Sequence, residues 1–158
     1  MERVVATIAL DPDLVDAEVR LAEYFENLRV GNGRIVVHLR LALEDLGFPA
    51  PLLLSHRAAL GVKRQRGELT PRDTFAIEWR PLDSALFPSL RGRLAVWPGT
   101  EAVAPYLELQ GVCTASSLDQ ARAYDATIGR LIAKRAAAAF LEDAAAGIRP
   151  LRGTRTPA

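Results

Sequence analysis

The order of elements along the chain predicts an α+β fold, a curved antiparallel β-sheet wrapped around a long C-terminal α-helix. Three observations predict it. Apolar and polar residues alternate in several segments between residues 34 and 113, the period lengthens to three-to-four after residue 116, and a short apolar strand with a helical segment precedes both. An antiparallel sheet with one apolar face needs that face covered. A helix from residue 117 to about 146 would be near 45 Å long, enough to lie across it, and the space between the two layers is where a cavity is expected.

Each element has its own signal. Val4, Val5, Thr7 and Ile8 make residues 3–9 a strand. Asp11 as cap and Pro12 as first residue start a helix over residues 12–29, with Leu14, Ala17, Leu21, Phe25 and Leu28 on one face and acids on the other. Gly31-Asn32-Gly33 ends it. Ile35, Val37, Leu39, Leu41 and Leu43 then alternate with Arg34, Val36, His38 and Arg40, giving a half-buried strand. Leu52 to Lys63 and Thr74 to Arg80 repeat the pattern, and Pro81, which has no N–H to donate, breaks the latter. Leu94 and Val96 mark the next strand, Pro98-Gly99 suits a type II turn, and residues 103–113 form the last. In the C-terminal helix, Ala121, Tyr124, Leu131, Ile132 and Ala139 gather within about 60° of Ile128 at 100° per residue, and Gly147 is a natural stop.

The 158 residues suit one domain, residues 1–147, with a flexible tail over 148–158. With 49% hydrophobic and 25% charged residues, the composition excludes a disordered or collagen-like chain. The net charge of +1 sets up no overall field, so no nucleic acid partner is expected. The single cysteine, Cys113, excludes an intrachain disulfide and points to the reducing cytoplasm. No run of about 18 uncharged apolar residues is present, so no integral membrane segment is expected, and the opening residues do not read as a secretory signal.

Catalytic patterns are scarce. The chain has no Gly-rich phosphate loop, no His-Glu-x-x-His, no paired cysteines and no nucleophile elbow. A zinc site takes three or four protein ligands, which His38, His56 and Cys113 in these positions do not suggest, so neither a metal nor another cofactor is expected. His38 is placed on the outward face of its strand and His56 on the inward face of the next. Arg135 falls about 20° from Ile128, where it must snorkel, pair with an acid such as Glu142, or meet a ligand anion. Trp79 and Tyr124 carry apolar bodies with polar tips, which suit a ligand wall and ordinary packing equally. Lys63, Arg64, Arg66 and Arg72 flank one hairpin tip with Glu68 and Asp73, as a solvated turn does.

The second half of the chain carries a resemblance. Phe75-Ala76-Ile77-Glu78-Trp79 is followed by Leu86-Phe87-Pro88-Ser89-Leu90-Arg91-Gly92-Arg93-Leu94, by Leu107-Glu108-Leu109-Gln110-Gly111 and by the helix around Ile128-Gly129-Arg130-Leu131-Ile132. Over residues 55–146, and by element order before that, the chain resembles uncharacterised bacterial members of the START/Bet v 1-like superfamily (SRPBCC, or polyketide cyclase/dehydrase-like). The resemblance implies the helix-grip fold and a small hydrophobic ligand, lipid-like or aromatic, held between sheet and helix. Leu39, Phe75, Trp79, Tyr124 and Ile128 would be its walls, and His56 or Arg135 its polar anchors. An enzyme of cyclase, dehydratase or hydrolase type in the same cavity is an alternative, less favoured. It needs an acid–base pair, sketched as His56 with Tyr124 or with Glu78, although Glu78 is expected to face outward. A further alternative is a non-catalytic interaction protein with a closed pocket, working through the outer sheet face or a homodimer contact.

Overall fold

The computed structural model describes residues 2–12, 16–47, 49, 52–66, 73–82, 87–114 and 126–149. Among these the strands are β1 (Glu2–Ala9), β2 (Ile35–Ala42), β3 (Leu53–Arg66), β4 (Asp73–Pro81), β5 (Ser89–Trp97) and β6 (Tyr106–Thr114). The helices are α1 (Ala17–Asn27) and α2 (Ala126–Ile148), with a short 3-10 turn at Leu43–Leu46. The strands form one antiparallel sheet in the order β1-β6-β5-β4-β3-β2. The sheet curls into a half-barrel, so the fold is α+β with a curved sheet and a C-terminal helix. α2 touches both edge strands, β1 and β2, together with β6, and α1 packs beside it.

Alternation decides which side chains face the helix. Phe75, Ile77 and Trp79 of β4, Leu90, Leu94 and Val96 of β5 and Leu107, Leu109 and Cys113 of β6 are buried, while the alternate series, such as Arg91, Arg93, Glu108 and Gln110, faces outward. Curling concentrates side chains on the inner face, and two strands relieve the crowding with glycine. Gly92 and Gly111 are cross-strand partners and both fall in the inward series. A Cβ on Gly92 would run into the Gln110 carbonyl oxygen and lie 2.8 Å from Gly111 Cα, and one on Gly111 would lie 2.9 Å from the Arg91 carbonyl oxygen. Only backbone fits where β5 and β6 bend past each other.

Several boundaries differ from the sequence expectation, each for a local reason. α1 starts at Ala17 rather than Pro12, because Asp16 sits in the left-handed region (φ 57°, ψ 44°) and gives no side-chain cap; Pro12 lies in a turn. β4 keeps Pro81 as its last residue, paired with Ala58, since a strand end tolerates a missing donor. Gly147 does not stop α2. The helix continues to Ile148, which is buried, and Gly147 makes room for the Tyr24 ring. The start of the C-terminal helix expected over residues 117–125 lies outside the described residues.

The buried face of α2 is also rotated from the one expected. It consists of Ile132, Ala133, Ala136, Ala137, Phe140, Leu141, Ala144, Ala145 and Ile148. Alanines make it broad, and they carry little weight in a hydrophobic-moment argument that Ile128 and Leu131 dominate. Among the described residues no helix is long and apolar enough to cross a membrane.

Candidate functional site

The space between sheet and α2 is where the sequence places a ligand, and its middle holds protein side chains. Leu39, Phe75 and Trp79 point into it from β2 and β4, each only 1% exposed. Phe140 comes down from α2 to 5.1 Å from the Trp79 ring and 6.4 Å from that of Phe25, which in turn lies 5.8 Å from Phe75. The Trp79 Nε1–H donates to the Pro88 carbonyl oxygen at 3.3 Å, so its polar tip already has a partner. Two of the expected walls, Phe75 and Trp79, thus come together with Phe25 and Phe140, which sequence alternation does not place there, and Leu39 is buried in the same hydrophobic core.

The remaining expected residues lie apart from that centre. His56 is on the inner face of β3, as expected, half-buried with its ring 5.5 Å from Phe87. Arg135 does not lie near the middle of the buried face. It is roughly 160° around the helix from the buried Ala137, its side chain is 51% exposed, and it faces Asp45 at 4.0 Å. The anion it meets is one of the chain's own carboxylates. Tyr124 lies outside the described residues. Ile128 belongs to the first turn of α2, with its side chain outside the described part. Glu78 faces outward beside Arg91 at 3.6 Å, away from His56. His38 and His56 occupy opposite faces of the sheet, and among the described residues no group of three or more His, Cys, Asp or Glu side chains is gathered as a metal site.

An open cleft of about 740 Å³ lies elsewhere, between Asp16–Val19 at the start of α1 and residues 96–105 around the β5–β6 connection. That connection is tied down at several points. Thr100 Oγ1 accepts from the amides of Ala102 (3.3 Å) and Val103 (3.1 Å), and the Thr100 amide donates to the Val103 carbonyl at 2.7 Å. The hydrogen-bonded turn is thus at Thr100–Val103 rather than at the expected Pro98-Gly99. Gly99 packs so closely on Pro105 that a Cβ there would be 2.7 Å from its Cδ, and the Leu10 amide donates to the Pro105 carbonyl, fastening the loop to the end of β1. Val19, Trp97 and Val103 line the cleft and are all large apolar residues left exposed. The sequence did carry a signal for this loop. Residues 98–105 are longer than a usual two-to-five-residue hairpin connection, and they hold Ala102-Val103-Ala104 between two prolines.

Two further groups have perturbed chemistry. The Arg40 guanidinium leaves the β2 edge to meet Asp143 of α2 at 2.5 Å, and its Nε is buried without a hydrogen-bond partner. Beside them, burial and the negative charge of Asp143 push the Tyr24 phenol above its usual range. Burial, with Glu2 nearby, pushes the Cys113 thiol up to about 12, which leaves it unreactive at neutral pH. No family model, no curated protein and no solved structure matches the chain.

Proposed function

We propose that this protein is a binding module that holds a small hydrophobic molecule in the cleft between the start of α1 and the β5–β6 connection. One observation carries the reading: a concavity of about 740 Å³ with exposed Val19, Trp97 and Val103 in its lining, walled on one side by a loop that its own hydrogen bonds keep in place. The volume is in the range of small-molecule sites, and a loop already ordered loses little entropy on binding. The aromatic packing of Phe25, Phe75, Trp79 and Phe140 favours this cleft over the space behind α2. The strand order and the contact of α2 with both edge strands support a helix-grip reading of the fold.

The test is a titration with N-phenyl-1-naphthylamine, a neutral apolar fluorophore. The expected result is saturable enhancement that falls at least tenfold in affinity in Val19→Asp and Val103→Asp, both surface changes that leave the fold intact. Equal binding by the wild type and both variants, or no binding at 100 µM probe, would overturn the assignment. The interaction-protein reading is favoured by a different observation: Leu52, Leu53 and Leu82 are exposed at the opposite end of the sheet.

A further inference from the structure

The net charge of +1 hides a separation by face. The segment Asp11–Glu26 carries Asp11, Asp13, Asp16, Glu18, Glu23 and Glu26 against a single basic residue, Arg20. The outer face of the sheet is the reverse. Arg3 of β1, Lys63 of β3, Arg80 of β4 and Arg91 and Arg93 of β5 all belong to the outward-facing series and are exposed. The register joins them into one field. Lys63 and Arg93 flank Ala76, Arg91 and Arg3 flank Val112, and Arg91 is paired with Glu78. Neighbouring strands are roughly 4.8 Å apart and alternate residues of a strand about 6.7 Å, so these five cations share a surface a few strands wide. The outward carboxylates among them are Glu78 and Glu108. Between the cations stand small residues, Ala59, Gly61, Ala76 and Ala95, which leave the backbone surface open to a polymer laid across it.

We propose that this outer sheet face binds single-stranded nucleic acid along its sugar–phosphate backbone. Four of the five cations are arginines, whose planar donors suit phosphate oxygens. The Trp97 ring stacks on Tyr106 at 6.2 Å at the border of the field, and Trp97 keeps 39% of its surface exposed, in keeping with the aromatic platforms that accompany basic grooves for single strands. Curvature decides between anionic partners. The sheet is convex on this side, since α2 lies in its concavity. A flexible strand follows a convex surface and reaches several cations at once, whereas a flat bilayer meets it along a narrow line. The five cations lie outside the cleft, which shares only Trp97 with this field.

The experiment is fluorescence anisotropy with a labelled 20-nucleotide uridine RNA, the thymidine DNA strand of the same length, a 20-base-pair duplex, and vesicles containing 30% phosphatidylserine. Four phosphate contacts at a slope of about 0.7 each in log K against log salt weaken binding roughly 50-fold between 50 and 200 mM salt. The expected result is micromolar binding of one or both single strands at 50 mM salt, with that dependence and weaker binding of the duplex; the RNA and DNA arms say which sugar is preferred. Arg91→Glu with Arg93→Glu should weaken binding at least tenfold and lower the slope by roughly 1.4, with the thermal midpoint unchanged. Arg135→Glu, on the helix layer, should leave binding as it is. The proposal is overturned if neither single strand binds at 50 mM salt, if the double reversal leaves binding unaltered, or if the vesicles bind and the oligonucleotides do not.

Discussion

Adding one methyl group at Gly92 tests the account of why the sheet curls. The added Cβ of Gly92→Ala meets main chain on every near side: the Gln110 carbonyl oxygen, Gly111 Cα at 2.8 Å and the Gln110 carbonyl carbon at 3.1 Å. Real Cβ atoms essentially never approach closer than 3.0 Å, so β5 and β6 must separate by some tenths of an ångström, and no flexible side chain is there to give way. Overpacking of this kind costs about 1–3 kcal/mol, and a backbone obstacle puts Gly92→Ala near 3. For a chain of this size that lowers the thermal midpoint by roughly 6–12 °C. Gly61→Ala is the matched control. It lies on β3, and its Cβ would meet only the Glu78 carbonyl oxygen, at an ordinary 3.8 Å. Removing glycine's freedom from the unfolded chain there should be neutral or stabilise by up to about 1 kcal/mol. Thermal unfolding followed by circular dichroism compares the two. If Gly92→Ala melts within 2 °C of the wild type, the two inward glycines are not what permits the bend.

Other expectations concern the core and two titrating groups. Phe140→Ala removes the ring that joins Trp79 to Phe25 and should cost about 3–5 kcal/mol in urea denaturation; a loss under 1 kcal/mol would mean the layers are not held there. Cys113 ionises near its ordinary 9.0 when unfolded but only at about 12 when folded, so the native state holds the extra proton across that window. Its contribution is complete below pH 9 and is lost as pH rises toward 12, by roughly 4 kcal/mol at most. Denaturation midpoints measured from pH 8 to 11 should fall less steeply in Cys113→Ala. Asp143→Asn removes a negative charge near Tyr24, so the phenol should titrate closer to its ordinary value, followed at 295 nm against Tyr24→Phe. Burial, the larger cause, should keep it raised. An unchanged Tyr24 titration would mean that Asp143 does not act on it.

The strands were legible in the chain because a period of two is hard to imitate: His38, Glu78, Leu107 and Leu109 all lie on the faces that alternation assigns them. The C-terminal helix was legible in kind but not in rotation. Its buried face is built largely from alanine, and a pattern weighted by large apolar residues centres on the wrong side, which carried Arg135 inward on paper and left it outside in fact. The start of α1 was hidden because Asp11-Pro12 is a good helix opening, and nothing local announces the left-handed Asp16. The cleft was hidden for another reason. Its two sides, residues 16–19 and 96–105, are some 80 positions apart, and only the pairing of β1 with β6 brings them together. Phe25 and Phe140 escaped in the same way, each being an unremarkable apolar residue until the layers meet.

That pairing also bears on how the molecule assembles. β1 has a single sheet neighbour, β6, whose first residue, Tyr106, is opposite Ala9. During synthesis the opening strand therefore waits, with one apolar side uncovered, while about a hundred further residues emerge, and only then does the loop it must close become worth its entropy. Strands β2 to β5 can form as successive neighbours in the meantime. The partner that β1 needs is thus the last strand of the sheet in chain order, and closing the β1–β6 ladder spans a longer stretch of chain than any other pairing in the sheet.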